Sequence, residues 1–157
     1  MKTNRILSTC LMLFAFCAVN VLAAIPEKES ATSAGTALTT VNNDHSRPFK
    51  AIITYSYSSW WSEGVGNATH LGLLTTVSAY VCDGTNTVGH DVFTAADGSE
   101  LFMDWTAVLN ADYSQDGTWV FSGGTGRFED AAGSGTLHAI ATSELDLILY
   151  MTGTIIY

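Results

Sequence analysis

Apolar side chains recur at every second position in several segments of this chain, and this alternation limits the folds that it can form. The alternation is clearest in Phe49–Ser58, Glu100–Asn110 and Leu145–Tyr157. Successive side chains of an extended chain point to opposite faces, so a period of two indicates strands with one buried face. Beyond residue 24, no segment shows a sustained helical repeat of apolar positions. We therefore expect an all-β fold with little helix.

Tight-turn dipeptides separate the predicted strands. Asp-Gly pairs at 83–84, 97–98 and 116–117 are typical of hairpin turns. Strands joined in this way favour antiparallel up-and-down pairing, in a sandwich or a closed barrel. We favour the barrel because closure leaves no apolar edge strand. The predicted strands are Phe49–Ser58, His70–Cys82, Thr87–Ala95, Glu100–Asn110, Thr118–Ser122, Gly135–Ser143 and Leu145–Tyr157, and Gly153 can divide the last of them.

The N-terminal residues have the features of a removable export signal. Lys2 and Arg5 precede an apolar run from Ile6 to Val19, and the next residues end in a small-residue cleavage site at Ala23. We therefore expect a secreted or periplasmic protein. The predicted organisation is a signal peptide over 1–23, a flexible linker rich in Ser and Thr over 24–46, and a single domain over 47–157.

The charge balance excludes two classes of partner. The formal net charge of the chain is −9, and cleavage of the signal would remove Lys2 and Arg5 but no acidic residue. An acidic chain repels a nucleic-acid backbone and an anionic membrane surface, so we expect neither as a partner.

The cysteines provide no internal crosslink. Cys10 and Cys17 lie within the predicted signal peptide, and the remaining Cys82 has no second cysteine to pair with. We interpret Cys82 as a small packed hydrophobe, with an interchain disulfide or a reactive thiol as the alternatives.

The phase of the alternation assigns side chains to the inside or the outside of the barrel. Glu100, Asp104 and Asp146 fall on the outer face, and the inner set contains no carboxylate and no histidine. The predicted inner set is Phe49, Ala51, Ile53, Tyr55, Tyr57, Leu71, Leu73, Thr75, Val77, Ala79, Val81, Leu101, Met103, Trp105, Ala107, Leu109, Trp119, Phe121, Leu137, Ala139, Ala141, Leu145, Leu147, Leu149 and Met151.

Four aromatic members of this set are candidate ligand contacts. Tyr55, Tyr57, Trp105 and Trp119 combine an apolar ring with a polar tip, which suits the lining of a pocket. The alternative is that they fill the core, since a barrel of this size holds either packed side chains or one small ligand.

Several outward positions are apolar as well. Phe102, Val108, Ile140, Ile148 and Tyr150 share the outer phase. A face of this kind needs a cover, and we expect homo-oligomerisation to supply it. The alternative is a set of scattered surface hydrophobes.

The glycine-rich segment 123–135 is the most distinctive motif of the chain, and it is not a nucleotide-binding loop. A dinucleotide-binding fingerprint would require glycine where Glu129 stands, and a phosphate-binding loop would require a lysine that the segment lacks. We interpret Gly123, Gly124 and Gly126 as the residues of a bulged corner between strands. Phe128 is then placed to close one end of the core.

At these positions the chain resembles the allene oxide cyclase barrel-like superfamily, which includes the plant dirigent proteins. The match is Gly-Gly-Thr-Gly-Arg-Phe from Gly123 through Arg127 to Phe128, followed by Ala131 and Gly133. The resemblance extends over about 47–157. Further segments that are similar to secreted bacterial members are 47–50, 66–72, 93–98 and 152–157.

The resemblance implies an eight-stranded antiparallel barrel with a lumen that binds apolar molecules. It implies neither a metal nor an organic cofactor, and it suggests a trimer or a dimer. No position matches the functional carboxylates of the family, so the catalytic residues stay unknown. Our leading hypothesis is a protein that binds or shields a small hydrophobic molecule without catalysis. The alternatives are a cofactor-free cyclase or stereodirecting enzyme, and a structural or oligomerising module with a packed lumen.

The histidines do not indicate a metal site. His45, His70, His90 and His138 lie on separate segments without the spacing of metal ligands. His70 stands close to Gly72 at a strand start, where hydrogen bonding to the backbone is the expected role.

Two short motifs remain. The Trp60-Trp61 pair predicts a loop with exposed aromatic rings or a ring that closes the barrel end. The Asn67-Ala68-Thr69 triplet is a glycosylation sequon, which matters only in a eukaryotic secretory host.

Overall fold

Eight antiparallel strands, joined in chain order, close into a barrel. This computed structural model describes residues 45–57 and 61–157, so the predicted signal peptide and nearly all of the predicted linker lie outside the described residues. The antiparallel up-and-down barrel predicted from the alternation is confirmed. The strands are β1 (Arg47–Tyr57), β2 (Trp61–Ala68), β3 (Gly72–Cys82), β4 (Asn86–Ala95), β5 (Glu100–Leu109), β6 (Gln115–Gly124), β7 (Ala132–Ala141) and β8 (Asp146–Ile156).

The eighth strand is β2, which the alternation does not predict. Gly153, expected as a possible break, lies within the continuous strand β8. Trp61 is not a loop residue but lies on the outer face of β2, and Trp60 lies outside the described residues. Because the inner side of β2 carries only short side chains, its sequence is typical of a loop. These inner residues are Ser62, Gly64, Gly66 and Ala68.

The predicted phase of β3 is wrong. Leu73, Val77 and Val81 were assigned to the interior, but they are 73%, 49% and 54% exposed. The inward side chains are those of the alternate positions, including Leu74 and Thr76. The outward face of this strand is the more apolar one, whereas Thr76 and Ser78 point inward, so the alternation assigned the wrong face to the interior.

The outer surface of the barrel is consequently more apolar than predicted. Val65 of β2 is 62% exposed and lies beside the outward face of β3. Homo-oligomerisation stays a prediction that rests on this outer surface.

One end of the barrel is closed by Phe128, and we call it the Phe128 end. A short 3₁₀ helix over Gly126–Phe128 places this ring inside the barrel with no exposed surface. Gly123 and Gly126 have φ values of 103° and 59°, which glycine adopts without a steric cost. This is the single helix in the described residues. It is too short to cross a membrane.

Three neighbouring motif residues support this closure. The Arg127 guanidinium lies 4.6 Å from the centre of the Phe128 ring, and its Nε is 3.0 Å from Asp97 Oδ2. Gly133 and Gly124 have neighbours so close that a side chain on either would collide with a backbone oxygen. The register between β5 and β6 shifts beside Gly124, at the bulge that the corner requires.

The described residues cover the opposite end of the barrel less completely, and we call it the Tyr57 end because β1 ends there. Tyr57, Tyr80 and Trp105 point inward at this end and are each half-buried. Shorter inward side chains surround them, namely Cys82, Thr87, Ala107 and Ala139.

Candidate functional site

The barrel interior contains a carboxylate, Asp91 of β4, and the prediction of an inner set without a carboxylate is therefore wrong. Asp91 is 2% exposed. In the β-sheet register it lies between Ser78 of β3 and Met103 of β5. A carboxylate at this depth is costly to bury unless hydrogen bonds stabilise it.

Three donors converge on this carboxylate, and we call the four side chains together the Asp91 centre. The Trp105 indole Nε1–H donates to Asp91 Oδ1 at 2.7 Å. The Ser78 hydroxyl donates to the same oxygen, and the Tyr55 hydroxyl donates to Oδ2. All three donors are uncharged, so they stabilise the carboxylate without neutralising it.

Tyr55 reaches Asp91 because β2 has a glycine between them. Tyr55 pairs with Gly64, and Gly64 pairs with Thr76 of β3. A Cβ atom on Gly64 would lie 3.0 Å from Tyr55 Cδ1 and 2.7 Å from Thr76 Cγ2. The phenol ring therefore lies across the backbone of Gly64, which lets its hydroxyl reach a strand that is not adjacent to its own.

Trp105 depends on a second glycine in the same way. Gly89 of β4 pairs with Trp105 of β5. A Cβ atom on Gly89 would lie 2.5 Å from two carbon atoms of the indole ring. The indole thus packs directly on the backbone of Gly89, and this position brings its N–H to Asp91.

Burial controls the protonation of the Asp91 centre. Burial raises the pKa of Asp91, and the hydrogen bonds from Ser78, Tyr55 and Trp105 only partly oppose that rise. Burial and the charge of Asp91 raise the pKa of Tyr55 well above 10.0. Tyr57 also has a raised pKa, first because of burial and then because of Tyr80 and Asp91. The tyrosines stay protonated, and Asp91 holds a proton to higher pH than an ordinary carboxyl group.

A buried hydroxyl adjoins this centre. Thr76 is 2% exposed and its Oγ1 has no hydrogen-bond partner of ordinary geometry in the described part of the chain. The hydroxyl is nevertheless close enough to Tyr55 to oppose the rise in its pKa. Buried polar groups usually have a partner, so Thr76 offers one more polar contact inside the barrel.

The four candidate ligand contacts separate into two groups. Tyr55 and Trp105 donate to Asp91, and Tyr57 lies beside them at the Tyr57 end. Trp119 instead belongs to the packed core. Its ring lies 4.5 Å from that of Phe121, and its indole N–H donates to the Thr136 carbonyl oxygen at 3.0 Å.

The alternation does not identify Asp91, Ser78 or Thr76 as inner residues. A usable signal is present for Asp91, because it shares its phase with the buried residues Phe93 and Ala95. Ser78 and Thr76 were assigned to the outer face because the phase of β3 was predicted in reverse.

The other ionisable candidates lie on the outside of the barrel. Asp104 is exposed and bonds to His90 Nδ1 at 2.8 Å, and Asp116 bonds to His138 Nδ1 at 2.7 Å. Each pair joins directly opposed residues on adjacent strands. These pairs are surface contacts between strands and have no part in the Asp91 centre.

Two further residues have local roles. The His70 ring Nε2 lies 3.0 Å from the Pro48 carbonyl oxygen, a backbone contact of the kind expected for it. Cys82 is buried, and its sulfur accepts a hydrogen bond from the Gly84 N–H at 3.3 Å.

Comparison with known proteins gives one distant structural likeness. No family model and no curated protein matches the chain. The chain is similar to the solved structure of a pterocarpan synthase dirigent protein, with a TM-score of 0.41 and 10% sequence identity over 72% of this chain and 87% of that one. A likeness of this degree does not bear on function, and the barrel is established by its own strand pairing.

Proposed function

We propose that this protein binds a small, mainly apolar molecule at the Tyr57 end of the barrel, with the Asp91 centre as the polar contact. The observation that carries this proposal is the difference in cover between the two ends. The Phe128 end is sealed by apolar side chains, whereas Tyr57 and Trp105 are half-buried above a buried carboxylate. Aromatic rings around a few convergent polar groups are typical of small-molecule sites.

The proposal refines the expectation of a lumen lined by apolar side chains alone. Trp105 connects the two parts of the site, because its indole N–H reaches Asp91 while the residue is only half-buried. A ligand that packs on this ring therefore lies beside the polar centre without entering the core.

A binding assay with an uncharged fluorescent probe tests the proposal. We would titrate the protein with N-phenyl-1-naphthylamine, which fluoresces when it enters an apolar site. Saturable binding of the probe is the expected result, and its absence at all soluble concentrations would reject the site. Trp105→Leu should weaken binding by about tenfold or more, the equivalent of ~1.4 kcal/mol.

The matched control is Trp61→Leu. Trp61 is also a partly exposed tryptophan, but it lies on the outer face of β2. Its replacement should leave the affinity for the probe unchanged. Equal losses in the two variants would show that the probe binds outside the barrel.

The second candidate function is cofactor-free acid–base catalysis of a cyclisation or isomerisation. It is favoured by the pairing of Tyr55 with Asp91, since a carboxyl group with a raised pKa beside a phenol can donate and recover a proton. The resemblance of the glycine motif to allene oxide cyclase and dirigent-like barrels supports the same candidate. Incubation of the protein with a lipid and phenolic extract, followed by chiral product analysis, separates it from simple binding. An Asp91→Asn variant that retains the ligand but loses the product would favour catalysis.

A further inference from the structure

We propose that the ligand of the Tyr57 end carries a positively charged amine or ammonium group. This inference rests on the proposed function and specifies the chemical class of the ligand. It follows from the charge, the ring arrangement and the donors at the Asp91 centre.

The first argument is that no lysine, arginine or histidine of the described residues forms an ion pair with Asp91. The lysine and arginine side chains of the described part of the chain are Arg47, Lys50 and Arg127, and all three are exposed on the outside. The neighbouring His90 also points outward, where it bonds to Asp104. Buried charges in proteins are usually paired. A cation brought by the ligand would supply the missing countercharge.

The second argument is the arrangement of aromatic rings in front of this carboxylate. Tyr80, Gly89 and Trp105 are directly opposed on adjacent strands β3, β4 and β5. Gly89 has no side chain, and the Trp105 indole packs over its backbone, which leaves Tyr80 and Trp105 as the side chains at this level of the inner surface. The Tyr57 ring meets the Tyr80 ring edge to face, with centroids 5.9 Å apart. Electron-rich ring faces grouped in this way attract cations.

The third argument concerns the ligand classes that the site disfavours. A carboxylate or phosphate ligand would be repelled by Asp91, and no cation on the inner face of the described barrel would attract it. A neutral ligand would leave the carboxylate without a countercharge. The formal net charge of −9 also raises the local concentration of small cations near the protein.

The test is displacement of the uncharged probe by three compounds of nearly equal shape. Choline is the cation, 3,3-dimethylbutan-1-ol is its uncharged isostere, and 3,3-dimethylbutanoate is the anion. We expect choline to displace N-phenyl-1-naphthylamine at a concentration about tenfold lower than the alcohol requires, and the anion to be the weakest. If the alcohol displaces the probe as well as choline does, or choline does not displace it, the inference is overturned while the binding site stands. Failure of the probe itself to bind rejects the proposed function instead.

A pair of Asp→Asn variants locates the charge that is responsible. Asp91→Asn should abolish most of the preference for choline over the alcohol, measured as the ratio of the two concentrations that displace the probe. Asp104→Asn removes the same charge from the outer face of the adjacent strand, where Asp104 is exposed, and should leave the preference unchanged. Equal losses in both variants would show that overall charge, and not the Asp91 centre, selects cations.

A third variant keeps the test informative if Asp91→Asn does not fold. Tyr80→Leu removes a half-buried ring at the mouth of the barrel and leaves the Asp91 centre in place. The affinity for choline should fall by about fivefold or more, while that for the alcohol changes less. Equal changes for the two compounds would overturn the role of the rings.

Discussion

The two ends of the barrel are formed by the same eight strands, yet they have opposite properties. At the Phe128 end, Phe128, Leu101 and Ile155 have no exposed surface. At the Tyr57 end, Tyr57, Tyr80 and Trp105 are half-buried, and the carboxylate of Asp91 lies below them. Buried apolar surface stabilises a fold, whereas a buried carboxylate reduces that stability unless it is well paired. The comparison indicates that the Phe128 end provides stability on which a less stable polar site can depend.

The largest expected effect is at the Phe128 end. Phe128→Ala should lower the free energy of unfolding by roughly 3–5 kcal/mol, because it leaves a cavity among fully buried side chains. The matching change at the other end, Tyr80→Ala, should cost clearly less since Tyr80 is half-buried. Chemical denaturation of both variants measures the difference. If Tyr80→Ala costs as much as Phe128→Ala, the two ends do not differ as we describe.

The sequence predicts the Phe128 end better than the Tyr57 end, for a physical reason. Where one face of a strand is apolar and the other polar, as around Met103 in β5, the alternation gives the correct phase. It does not do so for β3, where Leu73 and Leu74 point to opposite faces. It also misses β2, because Gly64 and Gly66 are needed for close packing and have no side chain to show a pattern. Part of the polar site lies on these two strands, since Ser78 and Thr76 belong to β3 and the Tyr55 ring packs on Gly64 of β2.

The next prediction concerns the backbone on which Trp105 packs. Gly89→Ala should lower the free energy of unfolding by about 1–3 kcal/mol, because the new methyl group would overlap the indole ring. The indole would have to move, so its hydrogen bond to Asp91 should weaken. Denaturation measures the first effect, and the chemical shift of the Trp105 indole N–H measures the second.

Gly135→Ala is the comparison for this variant. Gly135 lies under the Trp119 ring and close to the Thr152 carbonyl oxygen, so alanine there should cost at least as much stability. It should leave the Trp105 indole resonance in place. Movement of that resonance in both variants would mean that the two tryptophans do not belong to separate regions.

A smaller effect is expected in the pH dependence of stability. The pKa of Asp91 is raised above its ordinary value of 3.8, so the folded protein binds this proton more tightly than the unfolded chain. The associated stability is fully present below about pH 4 and is lost as the pH rises through the folded pKa of Asp91. Relative to Asp91→Asn, the wild type should therefore become less stable across that interval.

The stability of the wild type must be compared with that of Asp91→Asn at each pH, because exposed carboxyl groups change the stability with pH in the opposite direction. Hydrogen bonds lower the pKa values of Asp97, Asp112, Asp116 and Asp146. These residues add stability as the pH rises, and they are present in both the wild type and the Asp91→Asn variant. Denaturation curves measured from pH 4 to pH 8 give the difference directly. A difference that does not change with pH would mean that Asp91 has an ordinary pKa.

The smallest change in the free energy of unfolding is expected for a substitution of Thr76. This substitution tests whether the Thr76 hydroxyl already has a hydrogen-bond partner in the free protein or gains one from the ligand. The Thr76 hydroxyl is buried without a hydrogen-bond partner of ordinary geometry among the described residues. Thr76→Val should therefore change the free energy of unfolding by less than about 1 kcal/mol, and it can raise it, because removal of an unpaired buried hydroxyl relieves its desolvation cost. Ser78→Ala is the control, since it removes a hydroxyl that donates to Asp91 and should cost about 1–3 kcal/mol. An equal cost in the two variants would show that Thr76 already has a partner in the free protein.

If Thr76→Val is neutral for stability but weakens choline binding, the Thr76 hydroxyl contacts the ligand. The polar contacts at the Tyr57 end are then completed only when the ligand binds.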